Sequence, residues 1–307
     1  MDPRSRITHH AARSTQHSPA FTDDLGSMLD TLRGVSWPAR SSVRGAAAGT
    51  HRSRITGMSP EFTEYRPYRQ GDDPRRLDWK LLARTDRAYL RITSDRATLG
   101  TTILVDASAS MAYPEATHEK WAMARRIAVG LAAVAHAAGD PVGVTVPSGS
   151  GPRARAPRTR RGVVGEIAQL LAGIEPRGVV ELAPTLALSP RTRRLVIISD
   201  FLDDLGAMTR AARERVVAGA EVHAVHIVAR EELAPSATSI LAKDPERPGV
   251  MRPLVDETRA EYVAAFSAWR DDLAREWREA QASYTLVATD ETAAQAIRRI
   301  VRQSRVD

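Results

Sequence analysis

Asp106, Ser108 and Ser110 place one carboxylate and two hydroxyls within five residues, directly after the apolar run Ile103-Leu104-Val105. All three donors are oxygens, the set that suits a hard cation such as Mg²⁺, with Mn²⁺ as its nearest substitute. Nothing in the stretch TTILVDASASM sets a base beside a nucleophile. Its chemistry is that of holding a metal rather than breaking a bond. Enzymes that form an aspartyl-phosphate place a second carboxylate two residues after the nucleophile, and here that position is Ser108. Phosphoryl transfer by Asp106 is therefore the weaker alternative. A second apolar run, RLVIISDF over 194–201, also ends in an aspartate, Asp200.

These carboxylates need strands to carry them. The runs before Asp106 and Asp200 are continuously apolar, the pattern of parallel strands buried on both faces. From Thr101 onward the chain alternates such runs with helical periodicities: helices over 118–138, 162–174, 203–218, 256–282 and 290–305, and strands over 141–146, 221–228 and 284–289. That alternation predicts an α/β fold, a doubly wound and mostly parallel sheet with helices on both faces. Ligands of such sheets sit outside the carboxyl ends of the strands, where Asp106 and Asp200 fall. Tyr262, Phe266, Trp269, Leu273 and Trp277 form one stripe of the long helix and read as core. PRARAPRTRRG (152–162) reads as an exposed, charged hairpin or loop.

The segment before this domain differs. Residues 1–22 are polar, basic and unpatterned and are expected to be a disordered tail. Residues 23–97 read as an extension that begins with a helix over 23–34, with Leu25, Met28, Leu29 and Leu32 on one face, and continues rich in turns and short strands; 98–307 is the α/β domain.

The chain has 307 residues and no cysteine, which excludes disulfides, zinc–thiolate sites and thiol nucleophiles. No apolar run approaches a membrane span, and the N-terminus lacks the apolar core of a signal peptide, so a cytoplasmic protein is expected. Its formal charge is +7. The basic residues are spread among acidic ones without interleaved aromatics, so no specific nucleic-acid partner is expected. No glycine-rich loop ends in Lys-Ser/Thr, so the chain is not itself a P-loop ATPase.

Asp-x-Ser-x-Ser after one strand and Ser-Asp at the end of another resemble the metal-ion-dependent adhesion site of von Willebrand factor type A domains. The resemblance implies that Ser108 and Ser110 bind Mg²⁺ directly, that Asp106 and Asp200 act through water, and that an acidic side chain of a partner completes the shell. The family adds a threonine from the intervening loop. Here Val180 stands in that place, so the oxygen comes from Thr185 if the loop is shifted, from Glu175 or Glu181, or is left to water, which Mg²⁺ accepts readily.

The block EFTEYRPYRQGDDPRRLDWKLLAR is similar to the hallmark of the bacterial family catalogued as domain of unknown function 58: Glu61, Phe62, Tyr65, Arg66, Tyr68, Gly71, Asp72, Asp73, Arg75, Asp78, Trp79, Ala83 and Arg84 match, with Leu77 at an isoleucine position. The usual Asp-Pro-x-Glu after the fifth strand is Ala229-Arg230-Glu231-Glu232 here. The resemblance implies a type-A-like domain and, because relatives are commonly encoded beside MoxR-type AAA+ ATPases, a partner or adaptor of such an ATPase. Glu61, Tyr65, Arg66, Asp72, Asp73, Arg75, Asp78 and Trp79 read either as mutual ion pairs and turn caps, with Tyr68 and Trp79 anchoring the block on the sheet, or as a docking surface. The expected function is a non-enzymatic, metal-dependent interaction module. A structural scaffold with a metal-free site is the alternative.

Overall fold

Thr101–Val105 forms β5, buried along its whole length and hydrogen-bonded on both sides. The computed structural model describes residues 19–39, 48–56, 64–69, 72, 77–92, 94–148, 151–235, 241–243, 251–253 and 256–303. β5 lies inside a six-stranded sheet with β6 (Val142–Val146), β7 (Arg153–Arg158), β8 (Arg194–Ser199), β9 (Glu221–Val228) and β12 (Ser283–Ala288), in the order β12-β9-β8-β5-β6-β7. Every pairing is parallel except β6 with β7. The expected doubly wound sheet is present.

Alternation along the central strands feeds two cores. Ile103, Val105, Val196 and Ile198 face α1 (Pro19–Thr31), α3 (Glu119–Ala137), α4 (Val163–Ala172) and α9 (Ala293–Gln303). Leu104, Leu195 and Ile197 face α5 (Leu182–Leu188), α6 (Leu205–Val217) and α8 (Asp256–Glu279). One strand therefore buries side chains on both sides, which is why its sequence shows no polar alternation.

Three expectations change in detail. α1 begins at Pro19, four residues before the expected start, while residues 1–18 lie outside the described residues. Its Leu25 and Met28, with Leu32 just after it, pack on the same core as α3 and α9. The arginine-rich segment contributes β7, an edge strand, because Gly143 of β6 lets the β7 backbone approach closely. A Cβ at Gly143 would stand 2.4 Å from the Arg155 carbonyl oxygen. Charged side chains and Pro157 suit such an edge. α5, within a stretch read as loop, forms because the Asp203 carboxylate accepts from the Leu182 amide at its start (3.1 Å) while Leu182 and Leu186 are buried.

Of the aromatic stripe on α8, Leu273 and Trp277 are fully buried. Tyr262, Phe266 and Trp269 are only half-buried and stack on one another, with ring centroids 5.7 and 5.5 Å apart.

The N-terminal extension contains two antiparallel pairs: β1 (Ala48–Thr56) with β4 (Ser94–Ala97), and β2 (Glu64–Pro67) with β3 (Tyr89–Ile92). Between β2 and β3 lies α2 (Trp79–Thr85), capped by Asp78, whose carboxylate accepts from the Lys80 and Leu81 amides. Asp78→Ala should cost about 1 kcal/mol, read as a lowered midpoint in urea unfolding; an unchanged midpoint would show that α2 is held by packing alone.

Candidate functional site

The chain order reverses at β5: β6 lies on one side of it and β8 on the other. Asp106 follows β5 directly and Asp200 follows β8, so both carboxylates emerge side by side at this switch point. The β5–β8 register pairs Val105 with Ile198. The next pair brings Ser199 beside Asp106, and the Ser199 hydroxyl donates to Asp106 Oδ2 at 2.6 Å.

Asp106 is almost completely buried. Its Oδ1 accepts from the Ser108 amide at 2.8 Å. The Ser108 and Ser110 hydroxyls share a hydrogen bond of 2.9 Å and are themselves buried. Burial and then the nearby Asp200 charge push the Asp106 carboxyl up to about 7, against the pull of its bonds from Ser199 and Ser108. This is two acids crowded in a dry place.

Asp200 is also buried, and the Lys120 ammonium, in the first turn of α3, lies 2.7 Å from its Oδ2. The same ammonium lies 3.0 Å from Glu232 Oε1. Glu232 Oε2 in turn accepts from the Ala229 amide at 2.7 Å, capping the turn Arg230–Leu233, α7. Burial works against the charged lysine, but Asp200 and Glu232 outweigh it and hold the ammonium above the ordinary lysine range.

Two backbone bonds dock the 175–181 loop on the Asp-x-Ser-x-Ser turn: the Arg177 amide donates to Ala107 and the Ala109 amide to Gly178, both at 2.9 Å. Glu175 and Glu181 on this loop are exposed. Thr185 lies beyond it on α5, its hydroxyl donating to the Glu181 carbonyl four residues back (3.4 Å). No hydrogen bond among the described residues joins Thr185 to Asp106, Ser108, Ser110 or Asp200.

Phe201, the residue after Asp200, has φ 54°, a conformation bulky side chains rarely adopt. Its ring is held against Trp277 (5.1 Å) and His226 (5.7 Å), and its amide donates to Ser199 Oγ.

The structure thus brings Asp106, Ser108, Ser110 and Asp200 together. Lys120, Ser199 and Glu232 complete the cluster, and the sequence reading assigned none of them to the site. Ser199 was legible in the strand-end Ser-Asp. Lys120 had a compositional signal: only Lys80, Lys120 and Lys243 are lysines among 44 basic residues.

The residues present fit a divalent cation on chemical grounds. Every donor is an oxygen, two hydroxyls face each other, and Asp106, Asp200 and Glu232 together meet a single ammonium, that of Lys120. Among the described residues no group of three or more histidine, cysteine, aspartate or glutamate side chains forms a metal site by itself.

In the N-terminal block, Asp72 accepts from the Arg66 guanidinium at 2.7 Å and the Arg69 amide at 2.8 Å, and these bonds hold its carboxyl below the usual range. Tyr68 Oη donates to the Asp72 carbonyl. The expected anchoring by Trp79 does not occur. Its ring is 63% exposed, because it opens the short helix α2, none of whose residues is buried. Tyr65 pairs through its backbone with Arg91, while Glu61, Asp73 and Arg75 lie outside the described residues.

The family described as "Protein of unknown function DUF58" matches residues 64–272. An uncharacterized protein of Mycobacterium tuberculosis (strain H37Rv) is 30% identical over 300 residues, covering 92% of this chain and 93% of the relative. Among solved structures, the conserved hypothetical protein BatB from Bacteroides thetaiotaomicron aligns with a TM-score of 0.44 at 16% identity, covering 67% of this chain and 98% of that one. The SpRpn10 VWA domain aligns at 0.37 and 10% identity, covering 66% and 94%.

Proposed function

Since this chain belongs to the DUF58 family and its body is a von Willebrand factor A-like α/β domain, we propose that it is a non-enzymatic protein-interaction module whose recognition site is a divalent cation centre. Ser108 and Ser110 would hold Mg²⁺ or Mn²⁺ directly, with Asp106 and Asp200 balancing its charge. The bound cation supplies an open position for a carboxylate of a partner protein. The observation that carries this reading is the burial of Asp106 against Asp200 beside two facing hydroxyls.

Each group has a defined task. Ser199 and the Ser108 amide fix the Asp106 carboxylate through both oxygens. The same two bonds leave Asp106 poorly placed to attack a phosphoryl group, which weighs against the enzymatic alternative. The backbone bonds to Arg177 and Gly178 hold the loop that carries Val180 against the serines. Because Mg²⁺ keeps several waters readily, a missing threonine oxygen is replaceable by solvent.

A MoxR-type AAA+ ATPase is the first partner to test, with the energy of assembly supplied by the ATPase and recognition by this chain. No helix of the described residues is long and apolar enough to cross a membrane, and we place the module in the cytoplasm. Among the described residues of the N-terminal block, the exposed Trp79 is available for docking, while Asp72 and Asp78 are used in turn and cap.

Thermal unfolding of the EDTA-stripped protein with and without Mg²⁺ tests the centre. At a hundredfold the dissociation constant, Mg²⁺ should stabilise the wild type by about 2.7 kcal/mol and leave Asp106→Ala unmoved. Capture of the ATPase should then require Mg²⁺. A wild type indifferent to Mg²⁺ and Mn²⁺ would make the domain a scaffold with a metal-free site.

A further inference from the structure

Lys120 and its partner Glu232 are the residues of the cluster that the metal-centre reading leaves without a task. The Lys120 side chain is 1% exposed, and its ammonium bridges Asp200 (2.7 Å) and Glu232 (3.0 Å), residues 80 and 112 positions away. A buried lysine is costly unless paired, and this one meets two carboxylates. The chain uses arginine for nearly all its positive charge, yet a lysine stands here. A compact ammonium fits where a planar guanidinium fork is too large, and it acts as a point charge.

We propose that Lys120 is the resident counter-charge of the metal centre, a positioning residue that ties Asp200 to Glu232 and sets how strongly the site attracts a divalent cation. The proposal rests on the metal-centre reading and extends it to the control of affinity.

The electrostatics follow from the bridging geometry. Glu232 accepts from an ammonium and an amide, which favour its ionised form, while burial, the largest influence, holds its carboxyl above the usual range. With Asp106 and Asp200 ionised as well, three carboxylates face one ammonium, and the excess of two negative charges is what one divalent cation cancels. Without Lys120 the excess is three and a divalent cation is held more tightly. Without Glu232 it is one, the ammonium bears on Asp200 alone, and a divalent cation is held more weakly. A lysine that merely joins α3 to α7 would not move the affinity in opposite directions in the two variants.

The geometry also links the centre to a surface element. Glu232 caps the turn Arg230–Leu233 through the Ala229 amide, so the ammonium that holds Asp200 holds this turn too. Binding at Asp200 and the position of α7 share one side chain.

Isothermal titration of the full chain with Mg²⁺ at pH 8 and fixed ionic strength decides the matter, using wild type, Lys120→Met and Glu232→Gln. The dissociation constant should fall about tenfold or more in Lys120→Met and rise by a similar factor in Glu232→Gln, as Coulomb interactions over a few ångströms require. Equal constants in all three, or weaker binding in Lys120→Met, overturn the proposal while leaving the metal centre standing. Binding by Lys120→Met but not by wild type supports the proposal and overturns the metal-dependent function of the natural chain. Binding by neither overturns both. If Lys120→Met does not fold, Glu232→Gln decides alone: weaker binding supports the proposal, and unchanged or tighter binding overturns it.

Discussion

Arg194→Met should lose about 3–5 kcal/mol of stability, the usual result of removing one partner from a buried ion pair. Arg194 opens β8 with its side chain fully buried, its guanidinium 3.5 Å from both Asp140 and Glu221. Its Nη2 donates to the carbonyls of Trp37 and Pro38 at 3.2 Å, and its plane lies 4.1 Å from the centre of the Trp37 ring. One side chain thus neutralises two carboxylates at the amino end of the sheet and pins the segment after α1. Methionine keeps the volume and leaves both carboxylates buried without that cation. Arg194→Lys should recover part of the loss, since it restores charge but neither the stack on Trp37 nor the forked donors. Urea unfolding measures both variants. A loss below about 1 kcal/mol for the methionine variant would show that the carboxylates are satisfied without the guanidinium.

The second large effect is on pH dependence and separates two buried groups that act in opposite senses. Burial foremost holds His226 down at about 3, and its Nδ1 shares a 2.6 Å hydrogen bond with the Tyr284 hydroxyl. The unfolded chain binds a proton at this histidine below its ordinary value near 6.5, so His226 makes stability rise with pH from about 3 to about 6.5. Asp106, raised to about 7, does the reverse. The folded chain keeps its proton while the unfolded chain has lost it, so stability falls as pH rises from about 4 to about 7. Differences of this size are each worth on the order of 4 kcal/mol.

Between about pH 4 and pH 6.5 the two contributions oppose each other, and the metal-free wild type should change little. Asp106→Asn removes one of them and should show stability rising steeply across that window. His226→Gln should show the opposite slope. Saturating Mg²⁺, by keeping Asp106 ionised, should give the wild type the rising profile of Asp106→Asn. Parallel profiles for wild type and Asp106→Asn, with or without Mg²⁺, would show that Asp106 is not the raised group.

Much of this was legible without coordinates. Continuous apolar runs of three and four residues, over 103–105 and 195–198, closely followed by an aspartate locate β5 and β8, because strands buried on both faces admit no polar alternation. Helical periodicity locates α3, α4, α6, α8 and α9, with ends displaced by a few residues where caps such as Asp204 and Gly162 define the first turn. α5 escaped because its short run is helical only in context, with Asp203 capping it from another segment and Leu182 and Leu186 buried under the sheet. β7 was legible only as an exposed, charged hairpin or loop, because a strand at a sheet edge has no buried face to separate the two. Trp79 misled for the converse reason. A large aromatic in a dense motif suggests an anchor, and exposure is settled only by what packs over it.

The sequence by itself determined that a carboxylate and two serines close one buried strand and an aspartate closes another, since that chemistry depends only on neighbouring residues. Tertiary structure alone decided that these two strands lie side by side and that Ser199 faces Asp106. It also decided that Lys120 and Glu232, far apart in the chain, bring their charges to Asp200. Such pairings depend on strand order and helix placement, which satisfy the whole hydrophobic core at once, and no local pattern records the buried charge balance they produce.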